Sequence, residues 1–417
     1  MRRARDPMAP TAADEERRLA ALVRAHDRWR GREVFNLLAS ENAVSPTARR
    51  YLASDLAGRY TLPLTVDFHG ETIDNSYTGT RYTDQIETLA NDAAARLFHA
   101  RFATTRPLSG HIAALSALVP LLPPKSKLLA IAPEQGGYDG YAPGFIPAVF
   151  GYAVRPLPAD GPGYSVVAAD AVATIRSERP QAVVLGQSFF LFPYPLPEIV
   201  EAAHAVDALV LYDASHVLGL IAGGQFQDPL REGADVVFGS THKSFPGPQG
   251  GLLVTDREDL FRQLDPALVW RMFDNAHWNR IAGLAQTLLE LERCGADYAR
   301  TVVEDAQAIG RELAGLGVPI VAAAEGFTKS HQVHLDRDRL RAATGISPGA
   351  LARRLERQRL LIDLVGRVGT AEVARLGLVP SDMPRLAELI VRGGVRKERV
   401  GAEVLAWRRT FGSLRFA

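Results

Sequence analysis

Apolar positions recur along the chain with two different periods, and the change of period marks out its units. From about residue 13 to 30, Leu19, Leu22, Val23 and His26 fall three or four apart, the spacing of one face of an α-helix. Ser45-Pro46 predicts the opening of a second, short helix, because proline suits the first helical turn, where its missing N–H is not needed. From Gly58 to Thr83 the pattern is irregular and rich in Gly, Tyr, Thr and Asp, and so long a loop in a compact chain is usually functional. From Gln85 onward, apolar runs at 127–132, 182–186, 208–212, 236–239 and 251–255 alternate with helical stretches such as 112–122, 168–177 and 196–205. Apolar strands separated by helices predict a mostly parallel sheet covered on both faces. Further on, 297–316 predicts a long helix, 318–323 and 332–335 strands, and 348–358 and 384–393 helices of a smaller α+β unit.

A chain of 417 residues is too long for one ordinary core. The expected division is an N-terminal helical arm over 1–59, a large α/β domain over 60–295 and a small α+β domain over 296–417. Hydrophobic residues at 47% and charged residues at 23% fit a soluble globular protein. Lys+Arg 48 against Asp+Glu 47 leaves a net charge of +1, with no basic excess to neutralise many phosphates, so nucleic acid is a poor candidate partner. The N-terminus mixes Arg2, Arg3 and Arg5 with Asp14, Glu15 and Glu16 and has no apolar centre, unlike a signal peptide or membrane anchor. The single cysteine, Cys294, lies in a helical pattern where an inert buried thiol is expected. One cysteine permits no intrachain disulfide, which suits a reducing cytoplasm.

The chemistry gathers between residues 209 and 252. Asp213 closes an apolar run in Leu-Val-Leu-Tyr-Asp-Ala-Ser-His216, and Lys243 follows the next run in Phe-Gly-Ser-Thr-His242-Lys-Ser. In open α/β sheets the ligand crevice lies just beyond such strand ends, so the carboxylate and the amine are expected to converge. A lysine amine condenses with a carbonyl cofactor, and a carboxylate keeps a pyridine nitrogen protonated, which makes the ring an electron sink. Either residue alone is more simply a strand cap or a surface lysine. Together, and followed by Gly247-Pro-Gln-Gly-Gly251, they favour a site.

At these residues the chain resembles serine hydroxymethyltransferase and its relatives among fold-type I, aspartate-aminotransferase-like enzymes. The likeness runs from Leu-Leu-Ala-Ser40-Glu-Asn to Gly366-Arg367-Val-Gly-Thr, with the motifs in order. It implies pyridoxal 5'-phosphate as cofactor, held as a Schiff base on Lys243, with Asp213 on the pyridine nitrogen and Ser188 and His216 beside the phenolic oxygen. Ser109-Gly110-His111 matches the phosphate cup ahead of a helix, where backbone N–H groups and the helix dipole favour an anion. Arg367, assisted by Ser40, matches the grip on the substrate carboxylate, for which a planar guanidinium is well shaped. His242 falls within the same cofactor-binding set, and Tyr60 and Tyr77 match a loop that reaches the neighbouring subunit's site. A homodimer is therefore the smallest assembly the resemblance implies, with a tetramer also open.

Five departures from the family pattern stand out. Tyr138, in Gly136-Gly137-Tyr138, stands where the family has a ring-stacking histidine, and a tyrosine ring can stack as well. His111 stands where a small hydroxyl residue is usual. Leu62 occupies the place of a glutamate used in acid–base work and folate handling, leaving His69 or Glu71 as possible substitutes in a loop that is otherwise longer. The polar loop before Arg-Val-Gly-Thr, which contacts folate in the family, is missing between Leu360 and Gly366, and Gln249 replaces an arginine.

The resemblance and the departures together imply an enzyme that makes or cleaves the Cα–Cβ bond of β-hydroxy-α-amino acids. Its substrates would be a small amino acid and an aldehyde, handled without tetrahydrofolate, as in an L-threonine transaldolase or aldolase. Lys243, Asp213, His216 and Tyr77 are the expected catalytic residues. The alternatives are a tetrahydrofolate-dependent serine or α-methylserine hydroxymethyltransferase, an aminotransferase, or a catalytically silent cofactor-binding partner.

Overall fold

The computed structural model describes residues 11–63, 65–160 and 164–417. Its centre is a seven-stranded sheet made of β1 (Phe102–Thr104), β2 (Lys127–Ala130), β3 (Ala153–Pro156), β4 (Ala182–Leu185), β5 (Leu209–Asp213), β6 (Val236–Ser240) and β7 (Gly251–Thr255). The spatial order is β1-β7-β6-β5-β4-β2-β3. Strands β3, β2, β4, β5 and β6 pair in parallel, and β7 runs antiparallel to both β6 and β1. The fold is thus the mostly parallel α/β architecture expected from the alternation of strands and helices.

Why these runs lack a polar face is visible in the packing. Successive residues point to opposite sides of a strand. Leu129, Val183, Leu185, Val210, Tyr212 and Val237 enter one buried cluster. Their neighbours Leu128, Val184, Leu211, Val236 and Phe238 enter the cluster on the other side. Both faces are therefore covered, which is why the sequence shows continuous apolar runs rather than alternation.

Helix α1 spans Ala12–Arg28, α2 spans Gly110–Leu118 and α3 spans Trp278–Gly315. Thr11 and Asp14 form a capping box at the start of α1, and Ser45 caps the Pro46–Leu52 helix as expected. The 38 residues of α3 run unbroken through position 295, where a domain boundary was expected. Its first turns bury Trp278, Ile281, Leu284, Ala285 and Leu288, and its last bury Ile309 and Leu313, so one helix belongs to both ends of the molecule.

A further core lies around the C-terminal part of α3 and includes Phe35 and Leu37 beside Leu351, Leu360 and Val368. The strand Phe35–Asn36 pairs in parallel with Leu360–Leu361, and Gln332–His334 pairs antiparallel with Arg367–Gly369. The early segment is thus woven into the C-terminal unit. One expected strand is absent: 318–323 contributes only an isolated bridge, Ile320 to Leu335, before the chain turns. Pro319 lacks a donor for a ladder, and Ala322 at φ 55° bends the backbone out of extension. Among the described residues, no helix is long and apolar enough to cross a membrane.

Candidate active site

The cleft forms where the parallel strands end. It is lined by Gly110, His111, Tyr138, Gln187, Ser188, Asp213, Ser215, His216, Ser240 and Lys243. Asp213 is the last residue of β5, Lys243 lies three residues past β6, and Ser188 lies three past β4. Gly110 opens α2, whose N-cap Ser109 accepts a hydrogen bond from the Ile112 N–H at 3.1 Å. A Cβ on Gly110 would fall 2.0 Å from Ser240 Oγ, so glycine is what lets the helix start sit against the end of β6. The α2 start therefore turns unpaired N–H groups and a positive dipole end toward the cleft, a physical basis for holding a phosphate.

Asp213 is braced on both oxygens. Tyr141 donates its hydroxyl to Oδ2 at 2.7 Å, and the Ser215 N–H donates to Oδ1 at 2.9 Å. The Tyr141 phenol is held far above its ordinary pKa, first by burial and then by Asp213, so it stays a donor. Lys243 is pushed down to about 8 by burial, with Asp213 opposing the shift and Arg367 adding to it. An amine with that pKa is still mostly protonated near physiological pH, but it keeps a far larger neutral fraction than an ordinary lysine, as condensation with a carbonyl requires. The Lys243 loop is tied down from behind: Asn42 donates to the Lys243 carbonyl at 2.8 Å, and Tyr298 donates to the Ser244 carbonyl at 2.6 Å.

Three imidazoles gather beside the cleft. His216 Nδ1 lies 3.3 Å from His331 Nε2, their rings stacked with centroids 5.6 Å apart. Burial, followed by the cations Lys243 and Arg367, drives His216 well below its ordinary pKa. Burial and then Arg367 bring His331 down to about 3, and the same causes depress His334 strongly. All three are held in the neutral form, and the burial and cations that keep His216 unprotonated also make it a weaker base than an ordinary histidine. His242 is pushed down to about 4 by burial and then by Lys243, and it does not line the cleft.

Arg367 sits at the edge of the cleft. Its Nε donates to Asp363 Oδ2 at 2.5 Å, its Nη1 donates to the Ser188 carbonyl at 2.8 Å, and its guanidinium covers the Phe189 ring at 5.2 Å. These contacts take Nε and one Nη1 hydrogen and leave the far edge of the fork for another carboxylate. The Gly369 N–H donates to the Leu37 carbonyl at 2.8 Å, which lays the segment leading to Ser40 alongside the Arg367 strand. Tyr60 and Tyr77 are elsewhere. Their rings meet edge-on at 4.9 Å, the Tyr60 hydroxyl donates to Asp274, and neither residue lines the cleft.

The donor set fits a phosphorylated pyridine aldehyde: a helix start, a carboxyl accepting from two donors, and an amine of lowered pKa in one cleft. The serine hydroxymethyltransferase family model matches residues 13–341. The chain belongs to the serine hydroxymethyltransferase family, whose enzymes depend on pyridoxal phosphate. It is 37% identical to a serine hydroxymethyltransferase of Methanopyrus kandleri over 94% of this chain and 93% of that one. A serine hydroxymethyltransferase of Pyrobaculum aerophilum is 35% identical over 98% and 95%. Among solved structures, L-threonine transaldolase from Pseudomonas fluorescens superimposes with a TM-score of 0.87 at 24% identity, covering 97% of this chain and 94% of that one. The fold-type I architecture is thereby established.

Family membership leaves five lining or bracing residues that sequence reasoning did not single out. Gln187, Ser215 and Ser240 lie inside the motifs around Ser188, Asp213 and Lys243, so their signal was adjacency. Tyr141 and His331 reach Asp213 and His216 across 72 and 115 residues, and no local pattern announces such contacts. Leu62, at the family's glutamate position, is 5% exposed and packs as a core residue. Glu71 begins the second strand of a small hairpin, Val66–Phe68 with Glu71–Ile73, and His69 lies in its turn; neither lines the cleft.

Proposed function

We propose that this enzyme cleaves and forms the Cα–Cβ bond of β-hydroxy-α-amino acids without folate, as an L-threonine transaldolase or aldolase. The observation that carries this reading is the short connection before Arg367. Only five residues separate Leu361 from Arg367, and within them Asp363 folds back onto the guanidinium. So short a connection leaves no residues for a polar folate-contacting loop at this point. Leu62, buried in place of an acid, supports the same reading.

When bound, pyridoxal phosphate draws electrons from the Cα of an amino acid and stabilises the negative charge left by bond cleavage. Lys243 supplies the condensing amine, and the start of α2 at Ser109, Gly110 and His111 takes the phosphate. Asp213, locked by Tyr141 and Ser215, keeps the ring nitrogen protonated. Ser188 and His216, both on the cleft wall, would meet the ring's oxygen, and His242 would support the site from the loop that carries Lys243. Arg367 and Ser40 hold the α-carboxylate, which fixes the direction of the scissile bond. His216, neutral and buried, or Tyr77 from a second subunit, takes the proton of the β-hydroxyl. A second aldehyde arriving at Cα gives transaldolation, and a proton arriving there gives simple cleavage.

Tyr60 and Tyr77 act in this scheme from a neighbouring copy, so the working unit is at least a homodimer. The compartment is the cytoplasm. The residues before 60 serve as an arm woven into the smaller domain after 295, and α3 runs from the larger domain into that smaller one.

The second reading, a tetrahydrofolate-dependent serine or α-methylserine hydroxymethyltransferase, is favoured by the 37% identity to a serine hydroxymethyltransferase across nearly the whole chain. One assay separates the two. Purified protein is incubated with L-threonine or L-serine, with and without tetrahydrofolate, and the released aldehyde is measured. Acetaldehyde from threonine without folate is the expected result, and serine cleavage only when folate is present would sink the proposal. Lys243→Ala is expected to remove the visible absorbance of the bound cofactor; a band surviving that change would remove Lys243 from its role.

A further inference from the structure

Two residues of the cleft wall come from different elements and meet above it. His111 is the second residue of α2, and Tyr138 opens the short turn Asp139–Tyr141. His111 Nδ1 and the Tyr138 hydroxyl are 2.9 Å apart. Both residues line the cleft. Tyr138 also meets Tyr141 edge-on, with ring centroids 5.4 Å apart, and Tyr141 holds Asp213. A continuous chain of contacts therefore runs from the start of α2, across the cleft, to the carboxylate at the end of β5.

We propose that His111 is a positioning residue that fixes the Tyr138 ring through this hydrogen bond, so that the two grip a bound cofactor as one unit. The proposal rests on the reading that the cleft holds pyridoxal phosphate. The backbone has been shaped for the ring's position: a Cβ on Gly140 would fall 2.3 Å from Tyr138 Cε1, and a Cβ on Gly137 would fall 1.9 Å from the Ile131 carbonyl. Any larger side chain at either place would push the ring or the turn away. The far end of the ring then needs its own anchor, because two χ angles still let a tyrosine swing. The imidazole of His111 supplies that anchor. Burial, then Asp213 and Asp139, raise the phenol's pKa, so the phenol keeps its proton and can donate it to Nδ1. The two positions are also two at which the chain departs from the family's usual residues, and the contact joins those departures into one change.

The test is a double-mutant cycle read on cofactor binding rather than on turnover. Apo-protein carrying His111→Ala, Tyr138→Phe or both is titrated with pyridoxal phosphate, following absorbance and the circular dichroism of the bound chromophore. Tyr138→Phe keeps the ring and removes only the bond, which separates anchoring from the platform itself. Each single change is expected to weaken binding about three- to tenfold, as the loss of one hydrogen bond would. The double variant is expected to bind no more weakly than the worse single one. His111→Gln, whose amide oxygen can accept from the phenol, should recover most of the loss and restore the dichroism. Effects that multiply in the double variant, or a His111→Ala protein indistinguishable from wild type, would overturn the proposal alone. A wild-type protein that takes up no pyridoxal phosphate would overturn the reading of the cleft, and the proposal with it.

Discussion

Burial and neighbouring charge set Lys243 apart from an ordinary lysine, and the consequence is a pH profile. Its amine is pushed down to about 8. Below that pH the neutral, condensing form falls about tenfold per unit, so uptake of pyridoxal phosphate by the apo-protein should slow in step. Stopped-flow absorbance across pH 6–9.5 is the measurement, and a rate flat between 7 and 9 would contradict it. Stability follows the same shift with a definite sign. Between about 8 and the ordinary 10.5 the unfolded chain holds a proton that the folded chain does not, so stability rises with pH across that window. His331, depressed to about 3, adds a loss of stability as pH falls from about 6.5 toward 3. At this scale much of the site was legible in the sequence. Asp213, His216 and Lys243 sit at strand ends inside short motifs, whereas Tyr141 and His331 owe their positions to distant packing. Leu62 was legible only as a missing acid, and its burial explains why nothing polar stands there.

Elements place those residues through close backbone approaches, and one of them controls the lysine directly. Gly219, on the short helix Leu218–Ala222 that follows the Asp213 turn, lies under the loop carrying Lys243. A Cβ there would come within 2.3 Å of the Ser244 carbonyl oxygen and 2.7 Å of the Phe245 nitrogen, both backbone atoms with little freedom to yield. Gly219→Ala should therefore cost about 1–3 kcal/mol of stability and shift the absorbance of the bound cofactor, because Lys243 moves with its neighbour. Gly315→Ala, which meets no atom at the end of α3, is the control and should be neutral. Chemical denaturation and the cofactor spectrum read both effects, and an unchanged spectrum in a destabilised Gly219→Ala protein would break the link to Lys243. The strands around this crossing were readable because each is apolar on both faces. The opening of α3 was not, since its first turns are buried on nearly every side and show no helical period. The expected strand at 318–323 failed for a related reason: its apolar residues cover a turn rather than a sheet.

For the molecule as a whole, the proposed dimer would cover surface that this chain leaves exposed. Helix α1 buries none of its residues, and Leu19 and Leu22 are 63% and 58% exposed on one apolar side. Tyr60 and Tyr77 are paired with each other and 40% and 45% exposed, yet they stand away from the cleft of their own chain. If a second copy covers both surfaces, each cleft is completed by residues from the other subunit, and the two sets of residues can be inactivated separately. Lys243→Ala destroys the cleft and leaves the tyrosines, while Tyr60→Phe with Tyr77→Phe does the reverse. Mixed and reassembled in equal amounts, about half the dimers pair one of each, and every such dimer has one cleft with both intact parts. Activity should then return to about a quarter of wild type, although neither parent turns over on its own. Leu19→Glu with Leu22→Glu should weaken the assembly, seen as a lower mass by light scattering, and should abolish the recovery. A mixture no more active than its parents would mean that each cleft works within one chain, and the exposed tyrosines would need another explanation.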